Sequence, residues 1–145
     1  MPTDESAPQV KPSVLFVCVE NSNRSQMAEA FARMHGADVI DAHSAGSRPS
    51  GRVNPKAIEA MHERGYDLSR HQSKSLDDVP RGPYAAVVTM GCGDECPWIP
   101  AQRREDWDLE DPRNLPPEEF RRVRDDIERR VVALLRELRS PVSSA

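Results

Sequence analysis

The stretch Ser13-Val-Leu-Phe-Val-Cys-Val-Glu-Asn-Ser-Asn-Arg-Ser25 decides the fold of this chain. Its apolar, β-branched run 14–17 predicts a buried strand, and the residues from Gln26 onward predict a helix. Cys18 therefore starts a short loop between a strand and a helix N-terminus, where backbone N–H groups converge and bind anions. The stretch predicts an α/β protein with an anion-binding loop that begins at a cysteine.

The residues of this loop suit nucleophilic chemistry on an oxyanion. A helix N-terminus beside a cation stabilises the thiolate, which is the nucleophilic form of cysteine. The guanidinium of Arg24 can bridge two oxygens of a tetrahedral anion held against Cys18, and Ser25 can donate a hydrogen bond to the sulfur. A buried cysteine followed by an ordinary turn is the structural alternative. Arg and Ser at this spacing favour the catalytic interpretation.

The composition excludes several classes of function. The 145 residues suit one domain, and 37% apolar with 30% charged residues is typical of a soluble protein. The net charge of -4, without a basic stripe, predicts no nucleic acid partner. No stretch of the sequence is apolar enough for a membrane span, so we predict no membrane association. We expect a cytoplasmic location with reduced thiols, where three cysteines do not make a disulfide framework.

Hydrophobic periodicity and capping residues place the remaining elements. They are helices over 26–35, over 55–64 and over 117–138, and strands over 39–42 and 84–90. Gly36 is predicted to end the first helix in a left-handed conformation, while Asn54 caps the second helix and Gly65 ends it. Strands that alternate with helices predict one domain with a central parallel sheet and helices on both faces. We assign 13–139 to this domain, and 1–12 and 140–145 to tails.

Two further cysteines follow the strand at 84–90. Cys92 and Cys96 lie in a Gly-rich loop, and the carboxyl ends of parallel strands share one edge of the sheet with Cys18. The pair is interpreted as a thiol–disulfide relay in which one thiolate attacks a sulfur and its neighbour resolves the new bond. The alternatives are two incidental thiols, or two ligands of a metal site that lacks its other ligands.

An oxyanion displacement also requires an acid. Asp111, followed by Pro112, lies in a loop where it could protonate a leaving oxygen. Its neighbours Asp106, Asp108 and Glu110 are acidic as well, and spacing alone does not select among them. His62 and His71 lack metal-ligand spacing with any cysteine, which argues against a zinc site.

The order of these motifs resembles that of the arsenate reductases built on the low-molecular-weight protein tyrosine phosphatase fold. The matching residues are Cys18-x5-Arg24-Ser25, Gln26-Met27-Ala28-Glu29, Gly91-Cys92-Gly93-Asp94, Cys96-Pro97, Asp106-Trp107 and Asp111-Pro112. The resemblance implies a sheet of about four strands and the reduction of arsenate to arsenite. It also implies thioredoxin as electron donor and no tightly bound cofactor, and we expect a monomer.

The resemblance assigns a role to each matching residue. Cys18 attacks arsenic, and Asp111 protonates the departing oxygen. Cys92 then attacks the Cys18–arsenic adduct, and Cys96 moves the disulfide to Cys92–Cys96, which thioredoxin reduces. The oxyanion, or a phosphate or sulfate in its place, is bound by the loop residues Asn21, Ser22, Asn23, Arg24 and Ser25.

Some relatives bind potassium beside this loop. The counterparts in this chain are Asn21, Glu29, Ser44 and Asp67, and a solvated polar cluster is an equal alternative for these residues.

Two positions of the loop depart from the family pattern. Glu20 and Asn23 stand where many relatives have Gly and Cys. Asn23 removes a competing disulfide partner of Cys18, and Glu20 adds negative charge near an anion site. The short spacing from Cys92 to Cys96 leaves the donor open, and mycothiol or glutathione with a glutaredoxin-like partner is the second choice.

Two other functions compete with arsenate reduction. A low-molecular-weight protein tyrosine phosphatase would use Cys18 and Asp111 to form and hydrolyse a phosphocysteine. However, Arg113 and Asn114 replace the aromatic residues that would line a phosphotyrosine slot. A non-enzymatic module that senses arsenite or a metal through three thiols would leave Arg24 and Asp111 without a role.

Overall fold

The structure, a computed structural model, describes residues 11–91 and 98–139. Cys92 and Cys96, the two cysteines of the predicted relay, lie outside the described residues. The predicted tails lie outside them as well, apart from residues 11 and 12.

A four-stranded sheet forms the centre of the molecule. Its strands are β1 (Ser13–Cys18), β2 (Asp41–Gly46), β3 (Tyr84–Thr89) and β4 (Ala101–Asp106). All neighbouring strands are parallel, in the order β2-β1-β3-β4. The strand that ends at Cys18 is therefore internal, flanked by β2 and β3. This arrangement confirms the predicted α/β class and parallel sheet.

Helices cover the two faces of the sheet unequally. The α-helices are α1 (Arg24–Gly36), α2 (Pro55–His62) and α3 (Pro117–Arg139). All three contribute to one apolar cluster with Val14 and Phe16 of β1. The alternate residues Leu15 and Val17 face a smaller cluster, covered by the 3-10 helix Leu76–Asp78 and adjoining loops. The helical element on the second face is thus a single turn.

Gly36 has a different role from the one that its sequence position predicts. It is the last residue of α1, and Ala37 after it is right-handed, so the predicted left-handed cap is wrong. A Cβ atom on Gly36 would lie 2.7 Å from Leu135 Cδ2. The glycine therefore permits close packing of α1 against α3.

The residues predicted to begin and end α2 act as predicted. Asn54 accepts a hydrogen bond from the backbone of Lys56 at 2.8 Å, and Gly65 has a left-handed φ of 84° after α2. Strand β2 begins two residues later and ends four residues later than predicted. Within the described residues, no helix has both the length and the apolar character of a membrane span.

Candidate active site

Cys18 lies where β1 ends and opens onto a small cavity. The cavity has a volume of about 180 Å³, and the loop around it runs directly into α1 at Arg24. Asp111 lies on the opposite wall. Of the residues predicted to bind the oxyanion, Ser22, Asn23 and Arg24 line the cavity, whereas Asn21 and Ser25 are fully buried behind it. The structure thus brings the predicted nucleophile, cation and acid together.

Asn21 holds the loop in shape. Its backbone is left-handed, with a φ of 50°, which is uncommon for a residue other than glycine. Its Nδ2 donates to Ser25 Oγ at 2.8 Å and to Ser44 Oγ at 3.0 Å. Its Oδ1 accepts from Gln26 Nε2 and from the backbone N–H of Lys74, both at 2.8 Å. The amide therefore uses its full hydrogen-bonding capacity.

The buried Glu29 sets the direction of the hydrogen bonds that lead to Cys18. An ionised carboxylate only accepts, so the Ser44 hydroxyl donates to Glu29 Oε1 at 2.6 Å. The oxygens of Ser44 and Ser25 both accept from Asn21. The hydroxyl proton of Ser25 is then left for Cys18 Sγ, 2.9 Å from Ser25 Oγ. A thiolate can only accept, so Ser25 donates to the sulfur in that form and stabilises it.

Arg24 connects the loop to the chain segment that precedes Cys92. Its Nη1 donates to the carbonyl oxygen of Leu109 at 3.0 Å, and its Nη2 lies 3.9 Å from Asp111 Oδ2. A Cβ atom on Gly91, whose φ is 73°, would lie 2.3 Å from Arg24 Nη1. Gly91 is therefore required where the guanidinium meets the end of the β3 segment. Sequence reasoning missed this role of Gly91. The signal that could have indicated it is the position of Gly91 directly before Cys92.

Asp111 has one oxygen fixed and one turned toward the cation. Its Oδ1 accepts from the backbone N–H of Arg113 at 3.1 Å, and its Oδ2 faces Arg24. The other acidic residues of this segment, Asp106, Asp108 and Glu110, do not line the cavity. Of these four acidic residues, Asp111 is thus the one that lines the cavity.

The two departures from the family pattern have different surroundings. Glu20 Oε2 accepts from Arg113 Nη1 at 3.0 Å, an ion pair across the cavity. These residues are 93 positions apart, and no sequence signal indicated the contact. Asn23 is buried, and its Oδ1 has no hydrogen-bond partner within the described residues.

The proposed potassium ligands are brought together only in part. Asn21, Ser44 and Glu29 form one hydrogen-bonded group. Asp67 does not join it, because its carboxylate caps the backbone of Ser69 at 3.1 Å. Within residues 11–91 and 98–139, no group of three or more His, Cys, Asp or Glu side chains could hold a metal ion.

The charges around Glu29 also disagree with a resident cation. Arg33 Nη2 lies 2.7 Å from Glu29 Oε2, and Lys74 Nζ lies 3.8 Å from Oε1. Both lone-pair sites of the Asn21 amide oxygen are already used by Gln26 and Lys74. These residues do not fit potassium, because side-chain cations already neutralise the carboxylate.

His71 supports the loop from behind. Gln26 donates through its Nε2, so its Oε1 accepts from His71 Nδ1 at 2.9 Å. His71 Nε2, 2.6 Å from the Tyr66 hydroxyl, then accepts from it. Burial lowers the pKa of His71 below 6.5, although the nearby Glu29 acts in the opposite direction. The neutral ring therefore fits this site.

Comparison with known proteins agrees with this geometry. The family described as low molecular weight phosphotyrosine protein phosphatase matches residues 13–144. An arsenate reductase of Staphylococcus aureus (strain Newman) is 45% identical over 121 residues, which are 81% of this chain and 91% of that protein. A glutaredoxin arsenate reductase of Synechocystis is 42% identical over 84% of this chain and 95% of that protein.

Solved structures show the same likeness. An arsenate reductase in its phosphate-binding state superposes with a TM-score of 0.79 at 39% identity, over 88% of this chain and 98% of that one. A thioredoxin-dependent arsenate reductase of Corynebacterium glutamicum gives 0.76 at 34% identity, over 93% of this chain and 65% of that one. The fold that the motifs predicted is confirmed, and the chain belongs to the low molecular weight phosphotyrosine protein phosphatase family, as a relative of its arsenate reductases.

Proposed function

We propose that this protein reduces arsenate to arsenite through Cys18 and a three-cysteine relay that thioredoxin regenerates. The contact of Arg24 with Gly91 carries the proposal. The guanidinium that faces the oxyanion cavity packs on the residue before Cys92. Because Gly91 directly precedes Cys92 in the sequence, this contact supports a role for the second cysteine in the chemistry at Cys18.

The first step forms a sulfur–arsenic bond. The Cys18 thiolate attacks As(V), and a hydroxyl group of arsenate leaves as water after it takes a proton from Asp111. Arg24 and the N–H groups at the start of α1 hold the remaining oxygens, because they are preorganised for negative charge. Arsenic keeps its oxidation state in this step.

The second step is the reduction. The Cys92 thiolate attacks Cys18 Sγ, the sulfur–arsenic electron pair stays on arsenic, and arsenite leaves as As(III). A Cys18–Cys92 disulfide remains. The Cys96 thiolate attacks Cys92, releases Cys18 and leaves a Cys92–Cys96 disulfide. A dithiol of thioredoxin supplies the two electrons that reduce it.

Arsenate-dependent oxidation of NADPH, coupled through thioredoxin and thioredoxin reductase, tests the relay. We expect Cys18→Ser, Cys92→Ser and Cys96→Ser all to lose multiple turnover. Cys96→Ser should still release one equivalent of arsenite per protein molecule, because its disulfide forms between the other two cysteines. Turnover retained by Cys92→Ser contradicts the relay.

The electron donor requires its own comparison. The relatives include one named for glutaredoxin and one named as thioredoxin-dependent. Equal concentrations of thioredoxin and of glutathione with glutaredoxin should give faster turnover with thioredoxin. If Cys96→Ser remains active only with the small thiol, the second donor is correct.

Hydrolysis of phosphate monoesters is the second candidate function, supported by the family and by the cavity that joins Cys18, Arg24 and Asp111. Release of p-nitrophenol from p-nitrophenyl phosphate measures it. This reaction needs Cys18 and Asp111 but not Cys92, so Cys92→Ser separates the two functions. A kcat/KM for the ester that exceeds the value for arsenate would reverse our assignment.

A further inference from the structure

We propose that the Glu20–Arg113 ion pair determines the specificity of the cavity by closing its mouth to substituted oxyanions. The inference deepens the proposed function, on which it rests, by naming the substrate class as free tetrahedral oxyanions, in contrast to their aryl esters. Glu20 is one of the five unspecified positions of Cys18-x5-Arg24, and Arg113 lies outside the matching motifs. The pair is thus a feature of this chain's own structure.

The pair spans the cavity from wall to wall. Glu20 belongs to the loop that begins at Cys18, and Arg113 belongs to the 3-10 helix Pro112–Asn114 that follows Asp111. Both side chains line the cavity, with 3.0 Å between Arg113 Nη1 and Glu20 Oε2. At about 180 Å³, the space is smaller than a typical pocket for a drug-sized ligand.

The backbone places Arg113 for this contact. Its N–H donates to Asp111 Oδ1 at 3.1 Å, and its carbonyl oxygen accepts from Lys56 Nζ at 2.8 Å. On the other wall, the carbonyl of Glu20 accepts from Ser73 Oγ at 3.0 Å. Two anchored backbones therefore present opposite charges across the opening.

The pair also solves an electrostatic problem. A carboxylate beside an oxyanion site repels a dianion, and Glu20 lies in the same cavity wall as Arg24. Arg113 neutralises that carboxylate, while leaving Arg24 to face the ligand. Removing Arg113 alone should therefore weaken anion binding, and removing the charge of Glu20 alone should strengthen it.

Direct binding measurements test the proposal without turnover. The probes are inorganic phosphate and phenylphosphonate, measured by isothermal titration calorimetry on the reduced full-length protein. We expect Arg113→Gln to weaken phosphate binding and Glu20→Gln to tighten it, each by up to about fivefold, the range of a half-exposed ion pair. The double variant should bind phosphate as the wild type does. Unchanged affinity in both single variants overturns the electrostatic part.

The steric part concerns the ratio of the two affinities. Glu20→Gly with Arg113→Ala opens the mouth and should improve phenylphosphonate binding relative to phosphate by about tenfold, comparable to the removal of one modest steric clash. Glu20→Arg with Arg113→Glu recreates the pair in reverse and should restore the discrimination. A ratio that stays at the wild-type value in the opened variant overturns the proposal.

One control variant makes these outcomes specific. Arg129→Gln removes a surface ion pair with Asp126, 3.2 Å long, away from the cavity, and should change neither affinity. If the opened variant does not fold, the single Glu20→Gln variant still decides the electrostatic prediction. If phosphate binding follows the predicted pattern but the protein does not turn over arsenate, the proposed function is wrong. The proposed role of the Glu20–Arg113 ion pair would still stand.

Discussion

The two walls of the cavity are built in different ways. In the loop wall, residues 18–25, every residue except Val19 and Glu20 is buried, and Asn21 makes four side-chain hydrogen bonds. The rim wall, Asp111–Arg113, has half-exposed side chains: 39% for Asp111 and 50% for Arg113. Cys18 and the proposed oxyanion donors are therefore preorganised, whereas Asp111, the proposed acid, is accessible to solvent.

This difference separates two kinds of consequence. A buried polar group that loses its partners destabilises the fold by the full desolvation penalty. A half-exposed ion pair contributes little to stability. Substitutions of the buried residues of the loop wall should therefore change both stability and function, while those in the rim wall should change function alone.

The largest effect should come from the rim wall. Asp111→Asn keeps the Oδ1 that accepts from the backbone of Arg113 but removes the transferable proton. We expect kcat for arsenate to fall by about a hundredfold, the usual contribution of a general acid. Urea denaturation should give an unchanged free energy of unfolding. A kcat within threefold of wild type, or a marked loss of stability, would contradict the prediction that the rim wall affects function alone.

Asn21→Gly should produce the next largest effect, this time on stability. Glycine adopts the φ of 50° without strain, so the variant isolates the lost hydrogen bonds. Gln26 and Lys74 lose an acceptor, and we expect the free energy of unfolding to fall by about 2 kcal/mol. Asn21→Ala should lose roughly 1 kcal/mol more, because alanine is strained in the left-handed region. Equal values for the two variants would mean that backbone conformation does not matter here.

Spacing and residue type alone predicted the loop wall, whereas in the rim wall it was the family resemblance that selected Asp111. The loop wall is local: an apolar run, a cysteine and an arginine follow one another in β1, the loop and α1. Spacing alone did not select Asp111, because its acidic neighbours lie at similar distances along the chain from Cys18, and the Asp111-Pro112 match to the family made the choice. The contact between Glu20 and Arg113 joins residues 93 positions apart, and no short pattern encodes it.

The edge of the sheet shows the same limit. Strand β4 has the sequence Ala-Gln-Arg-Arg-Glu-Asp, without buried residues, so apolar periodicity did not locate it. The resemblance supplied the number of strands, and the neighbouring β3 supplies the backbone partners. Charged side chains are tolerated there because an edge strand faces solvent.

Gly91 contacts Arg24 of the loop wall, and its substitution should have a smaller effect on anion binding. In Gly91→Ala the new Cβ would lie 2.3 Å from Arg24 Nη1, so the guanidinium must move. We expect phosphate binding, measured by calorimetry, to weaken about tenfold through the loss of a charge-assisted contact. Gly51→Ala is the matched control: its φ is 84° but nothing lies within 4 Å of the added Cβ. Equal losses in both variants would assign the effect to backbone strain.

The smallest effect should be a pH dependence of folding stability, caused by His71 behind the loop wall. Burial lowers the pKa of His71 below 6.5, so the unfolded chain binds more protons than the folded protein at mildly acidic pH. With respect to this group, the free energy of unfolding should have its full value above about pH 6.5. Below that pH it should fall by at most about 1.4 kcal/mol per pH unit for one group.

His71→Gln should flatten this slope when unfolding is followed at pH 7 and pH 5.5. His62→Gln on the exposed side of α2 should leave it unchanged. Burial also lowers the pKa of His43, so part of the slope should remain. Because His71 reaches Asn21 through Gln26, acid should loosen the nucleophile's loop before it disturbs the rim. If the free energy of unfolding changes equally with pH in wild type and His71→Gln, His71 does not contribute to the stability of the loop. The preorganised part of the loop wall would then consist of Asn21 and its direct partners.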